Sequence, residues 1–160
     1  MIVIDTGPLV AAANADSKDH IACATLLYEH AGNLVVPASV VVDTCWMLAR
    51  LVGVTAEATL LASIADGELY VESLHAADYR RSGELVETYT DLGLGMVNAT
   101  LWGRRCRAAS ASYTDLGLGM VNATVVAVAE RIGSRQVATL DKRDFRVVRP
   151  RHVAAFELLP

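Results

Sequence analysis

The sequence predicts a single α/β domain: a parallel sheet of four to five strands flanked by helices, carrying a duplicated insertion of about 24 residues. Three observations lead there. Short β-branched runs, such as MIVID at the start and LVVP further on, are apolar throughout, as strands buried on both faces of a parallel sheet are. Longer stretches with helical spacing of apolar residues separate these runs. The 160 residues, 53% of them hydrophobic, suffice for one core.

Met1–Asp5 is the first strand, ended by Thr-Gly-Pro, and Leu9–Asn14 is a short helix. Asp19–His30 places Ile21, Ala22, Ala24, Leu26 and Leu27 on a helical face, and Leu34–Pro37 is the second strand. Ser39–Leu51 reads as a helix, although Val40–Val42 alone favours a strand. Thr55 followed by Glu57 resembles an N-cap with a first-turn acid, so a helix starts there. Leu69–Leu74 is the third strand, Ala76–Tyr89 a helix, and Ala123–Ile132 another that Gly133 ends. Gln136–Leu140 is the fourth strand and Arg146–Val148 the candidate fifth.

Mean hydropathy is +0.35, which raises the question of a membrane protein. The longest strongly apolar stretch, Leu34–Met47, is interrupted by Asp43, so no spanning helix is expected. The N-terminus has no basic segment and carries an acid at position 5, unlike a signal peptide. Cys23, Cys45 and Cys106 form neither a disulfide framework nor a zinc pattern, which fits a reducing cytoplasm. The four histidines have no metal-ligand spacing and read as surface or packing residues, and Trp46 and Trp102 read as packing residues. No glycine-rich phosphate loop is present, which ranks a nucleotide-binding module last.

Residues 1–79 hold two bases and ten acids, whereas residues 80–160 hold twelve bases and eight acids. An acidic half beside a basic half suits a metal site next to a polyanion, and it is equally what ordinary surface scatter produces. Tyr89–Thr100 and Tyr113–Thr124 both read YTDLGLGMVNAT, twelve identical residues at a period of 24. Two copies fall short of a solenoid, and identity without drift points to a recent duplication within a parent of roughly 136 residues. With the second copy native, the extra residues (about 91–112) fall in a surface connection, as an exposed loop or short basic helix.

Functional sites in open parallel sheets form at the carboxyl ends of the strands. Asp5 ends the first strand and Asp141 ends the fourth, in VATLD; Asp43 sits inside an apolar run, where an unpaired carboxylate is expensive. Converging, the three would suit a hard cation such as Mg²⁺ or Mn²⁺. Each also has a plainer reading: Asp5 as a turn cap with Thr6, Asp43 as a helix-start acid, Asp141 as the opening of a turn into Lys142-Arg143.

Several segments in order resemble the PIN domain, and most of all the VapC toxins of bacterial toxin–antitoxin pairs: IVIDT, Pro37 leading into VVVDTCWMLARLVG, the helix VVAVAERI, ATLDKRDF, and the trailing VVRPRHVAAFELLP. The resemblance covers nearly the whole chain apart from the duplicated unit. It implies a PIN-like fold and a Mg²⁺- or Mn²⁺-dependent ribonuclease with four acidic positions. Asp5 matches the first; Asp43 the second, where the family usually has Glu; Asn122 the third, where it usually has Asp; and Asp141 the fourth. Thr6 and Asp144 are auxiliary. Asn122 keeps an oxygen but loses a charge, which weakens metal binding; alternatively it is the N-cap of a helix starting at Ala123. Asn98, its duplicate, lacks the flanking helix. Lys142, Arg143 and Arg146 are candidates for guiding RNA; Arg104, Arg105 and Arg107 fit a solvated surface better. The implied partners are RNA, a VapB-type antitoxin whose tail covers the acidic site, and a second copy, with Trp46–Val54 as contact surface. The competing reading is an inactive PIN-like protein that binds antitoxin or RNA without cleaving.

Overall fold

The structure is a computed structural model and describes residues 1–89 and 119–160. The duplicated insertion, Asn98, Trp102, Arg104, Arg105, Cys106 and Arg107 lie outside the described residues. In chain order the elements are β1 (Ile2–Ile4), α1 (Thr6–Ala13), α2 (His20–Glu29), β2 (Leu34–Pro37), α3 (Ala38–Leu51), α4 (Val54–Ala65), β3 (Tyr70–Glu72), α5 (Ala76–Thr88), α6 (Met120–Ile132), β4 (Gln136–Ala138), α7 (Lys142–Val147) and β5 (Glu157–Leu159).

The five strands pair in parallel in the order β3-β2-β1-β4-β5. β1 lies at the centre, and all three of its residues are buried, as are all four of β2. Consecutive strands run outward from β1 on one side, and the chain then crosses to the other side for β4 and β5. The order therefore reverses between β1 and β4. Helices leaving those two strands diverge there and open a crevice at their carboxyl ends.

The sequence-predicted fifth strand is placed differently. Arg146–Val148 overlaps the end of α7, and the fifth strand is Glu157–Leu159, paired to β4. Asp141 N-caps α7 by accepting from the Asp144 N–H at 3.4 Å, so the chain turns into a helix before the short apolar run begins. Phe145 then packs α7 into the core against Phe156, their ring centroids 6.5 Å apart. The helix expected to start at Thr55 is capped by Gly53, with no side-chain cap bond.

α6 buries seven consecutive residues, Ala123–Ala129, because small and β-branched side chains let it lie between α5, α3 and the sheet. Gly133 ends it at φ 70°, a left-handed conformation that glycine adopts without strain. Ser134 then donates its hydroxyl to the Met1 and Gln136 carbonyls, at 2.8 and 2.9 Å, which aligns the entry of β4 with β1.

Arg131, near the end of α6, fastens this helix to β3 and α5. Its Nε lies 3.0 Å from both oxygens of Asp78, and Nη1 lies 2.9 Å from Glu72. Asp78 is 2% exposed and also accepts the His75 N–H at 2.8 Å. Removing the guanidinium leaves a buried carboxylate without its cation. Arg131→Met is expected to lower the unfolding free energy by about 3 kcal/mol, and adding Asp78→Asn to recover part of the loss. Urea melts of the three variants check this.

Candidate functional site

The crevice between β1 and β4 holds two of the sequence-predicted acids, Asp5 and Asp141. The backbone N–H of Asp5 bonds the Ala138 carbonyl at 2.9 Å, extending the β1–β4 ladder by one step and setting Asp5 beside Thr139. Asp5 is buried. Its Oδ1 accepts the Thr6 N–H and its Oδ2 accepts the Thr139 hydroxyl, each at 2.8 Å. Thr139 in turn accepts the Asp141 N–H at 3.0 Å. One hydroxyl therefore links the two strand-end acids. Thr139 carries no sequence signal of its role, since in VATLD it reads as one more strand residue.

Gly7 lets α1 approach this point closely. A Cβ at position 7 would stand 3.2 Å from the Leu140 Cβ, tighter than ordinary packing, so a side chain there would push α1 off the end of β4. Thr6 is buried beside Asp5, and its Oγ1 has no hydrogen-bond partner among the described residues.

Asp43 comes from the opposite wall, in the middle of the half-buried face of α3. That rules out the helix-start reading, because α3 begins at Ala38. α3 is held to α6 by two hydroxyls: Thr124 donates to the Val121 carbonyl at 2.7 Å, so Ser39, 2.6 Å from Thr124, donates to it. Asp43 also borders a groove of about 600 Å³, walled by Val42, Trp46, Leu74, Tyr79, Met120 and Val121 among others. Trp46 is 49% exposed and packs at the surface, where the Arg50 guanidinium stacks 4.8 Å from its ring centroid.

Asn122 is not an N-cap. α6 starts at Met120, with Gly119 as the cap, which places Asn122 inside the first turn. Its Nδ2 donates to Asp141 Oδ2 at 3.3 Å. The Asp144 carboxyl is pushed up by burial and by the Asp141 charge and pulled partly back by Arg143 and Asn122. Lys142, Arg143 and Arg146 follow Asp141 on the exposed side of α7.

The electrostatics converge on Asp5. Burial lifts its pKa to about 6; the bonds from Thr139 and Thr6 pull it down, and the charges of Asp141 and Asp43 push it up. The oxygens of Asp5 accept from the Thr6 N–H and the Thr139 hydroxyl, two neutral donors. Among the described residues, no three His, Cys, Asp or Glu side chains stand together as a ready-made ligand cluster. Asp5, Asp141 and Asp43 are nonetheless all hard oxygen donors, and the charges of the last two reach Asp5, a chemistry that suits a hard divalent ion and not a soft one. The donor chemistry fits Mg²⁺ or Mn²⁺.

A family model for the PIN domain matches residues 2–149. The chain belongs to the PIN-domain family. It is 28% identical to ribonuclease VapC26 of Mycobacterium tuberculosis over 159 residues, 99% of this chain and 100% of that one. Its fold is similar to that of VapC20 from the same organism, described as a sarcin–ricin-loop-cleaving toxin. The TM-score is 0.60 at 20% identity, covering 86% of this chain and 87% of that one, and at that identity the likeness shows the fold alone. The parallel five-stranded sheet is thus a PIN sheet, as the IVIDT and ATLDKRDF segments led one to expect. No helix among the described residues is long and apolar enough to cross a membrane.

The burial of Asp5 has a measurable consequence. Its folded-state pKa of about 6 exceeds the ordinary value of 3.8, so between those values the folded PIN domain binds more proton than the unfolded chain. Stability of the metal-free protein should therefore fall as pH rises from about 4 to 6, by about 3 kcal/mol in all. Asp5→Asn should flatten that slope and raise the denaturation midpoint at pH 7.5. Denaturant melts in EDTA across pH 4–8 check both.

Proposed function

We propose that this PIN-domain protein is a divalent-metal-dependent endoribonuclease toxin of a toxin–antitoxin pair. The observation that carries this reading is the buried Asp5 carboxylate, placed at the sheet's switch point and raised in pKa to about 6, chiefly by burial and further by the charges of Asp141 and Asp43. The full-length similarity to a VapC ribonuclease supports it. Asp5, Asp43 and Asp141 hold the Mg²⁺ or Mn²⁺, with Asn122 completing the third family position. When bound, the ion supplies a water of lowered pKa and offsets charge on the phosphodiester undergoing attack.

The protein's own residues position everything else. Thr6 and Thr139 hold Asp5 in one orientation, so its oxygens need no reorganisation. Asp141 is fixed from three sides: by the Thr139 hydroxyl at its backbone, and by Asn122 and the Asp144 N–H at its carboxylate. Lys142, Arg143 and Arg146 draw the phosphate backbone toward Asp141. Asn122 in place of an acid leaves the centre one charge short, which weakens ion affinity and slows cleavage. The partners are a VapB-type antitoxin and a second copy of the chain, with the apolar groove beside Asp43 as contact surface, and the work takes place in the cytoplasm.

Labelled RNA incubated with Mn²⁺ tests the reading. The native protein should cleave slowly, with no cleavage in EDTA or by Asp5→Ala. Asn122→Asp should bind Mn²⁺ and cleave about tenfold better or more. Cleavage that survives Asp5→Ala or EDTA rejects the metal mechanism, and identical Mn²⁺ titrations for the native protein and Asn122→Asp reject the role given to position 122.

A further inference from the structure

We propose that Arg149 carries the RNA-binding face of α7 onto the chain that follows it, so that the substrate strand leaves the acids over the end of α7, and that the nearby Arg151 takes no part. The proposal rests on the ribonuclease reading above and names the path of its substrate. Residues 142–152 hold five bases and one acid in a chain whose net charge is −4. The acid, Asp144, is buried, while all five bases are exposed. The outer face of this stretch is thus positive, and it starts directly after Asp141. A polyanion is the ligand that such a face attracts.

The fold sets Arg146 and Arg149 side by side. Val148 and Pro150 are buried, and Arg149 between them is exposed, as alternation along an extended chain requires. The backbone N–H of Arg149 donates to the Tyr89 hydroxyl at 3.0 Å, and its Nη1 donates to the Arg146 carbonyl at 3.0 Å. The guanidinium therefore lies at the last turn of α7, the turn that carries Arg146. A carbonyl is a neutral partner and takes one of five N–H donors, so a phosphate can take others. Arg151 is used differently. Its Nη2 donates to Glu84 at 2.6 Å, and its backbone N–H donates to Glu130 at 3.0 Å. Glu84 answers its charge, and the two bonds fasten the chain after α7 to α5 and α6. Pinned at Tyr89, Glu84 and Glu130, this chain holds Arg149 in one place, so a strand that binds there loses little by ordering it.

Binding of a fluorescent single-stranded RNA to the full-length protein in EDTA, over about 50–200 mM KCl, tests the path. Where that binding is too weak to measure, KM for cleavage with Mn²⁺ takes its place. Arg149→Gln is expected to bind about fivefold to tenfold more weakly at the low-salt end. It should also lower the slope of log K against log salt by about 0.7, one phosphate contact on a single strand. Arg149→Lys should keep the slope, and Arg151→Gln should bind within about twofold of the native protein. Unchanged RNA binding by Arg149→Gln overturns the proposal and, where its melting temperature falls, leaves Arg149 as a cap on α7 alone. An equal loss in Arg149→Gln and Arg151→Gln also overturns it, because each removes one positive charge and net charge alone then explains both. If Arg149→Gln does not fold, the guanidinium N–H resonances of the native protein decide. Those of Arg149 should shift when RNA is added and those of Arg151 should not; any other pattern overturns the path. A native protein that neither binds RNA in EDTA nor cleaves it with Mn²⁺ refutes the ribonuclease reading and this path with it. One that cleaves RNA while Arg149→Gln behaves as native loses only the path.

Discussion

Asp5 ends the central strand, is almost wholly out of solvent, and feels the charges of Asp43 and Asp141 from two other elements. Most of the architecture around it serves to keep a carboxylate there. The switch in strand order opens the crevice, and the ladder bond to Ala138 brings β4 alongside. Gly7 lets α1 come close enough to present the Thr6 N–H, and Thr139 spans to Asp141. Two hydrogen bonds lower the cost of the charge without removing it, since burial still outweighs them.

Asp78 shows that this chain can neutralise a buried acid when stability is the object. It is as inaccessible as Asp5, but Arg131 meets both its oxygens and joins α6 to α5 and β3 in doing so. Asp5 is met instead by two neutral donors, the Thr6 N–H and the Thr139 hydroxyl. A carboxylate kept buried between neutral donors at the mouth of a parallel sheet, at a standing cost to the fold, is what the proposed metal-dependent chemistry would need there.

Much of this was legible in the sequence, and the exceptions have physical causes. MIVID and VATLD announce buried strands ending in acids because a parallel strand is apolar on both faces and its end is not. The fifth strand was not legible. Arg146–Val148 and Glu157–Leu159 are both a charged residue followed by two apolar ones, too short for a period to separate strand from helix, and the Asp141 cap settles the first as helix. Asn122 looked like a cap because Asn favours that position, yet the helix runs back to Met120, where propensity yields to the packing of Val121 against the core. Thr139 was invisible because a threonine in a strand is unremarkable until the fold brings a carboxylate to its hydroxyl. Asp43 could be located on a helix, but only the tertiary structure turns that face toward Asp5.

The duplicated YTDLGLGMVNAT leaves two asparagines with the same local sequence, so local preference cannot choose between them. Of the described residues, Asn122 stands against Asp141. The residues just after it, Ala123 and Thr124, are fully buried, and Thr124 takes the Ser39 hydroxyl across to α3. The helix that carries Asn122 is therefore tied on one side to the element bearing Asp43, while its own amide ties it on the other to Asp141. Changing the side chain at position 122 alters charge and the bond to Asp141 while leaving the Ser39–Thr124 tie and the buried turns of α6 in place, so a single Asn-for-Asp difference changes the polar contacts of this PIN site without redesigning its fold.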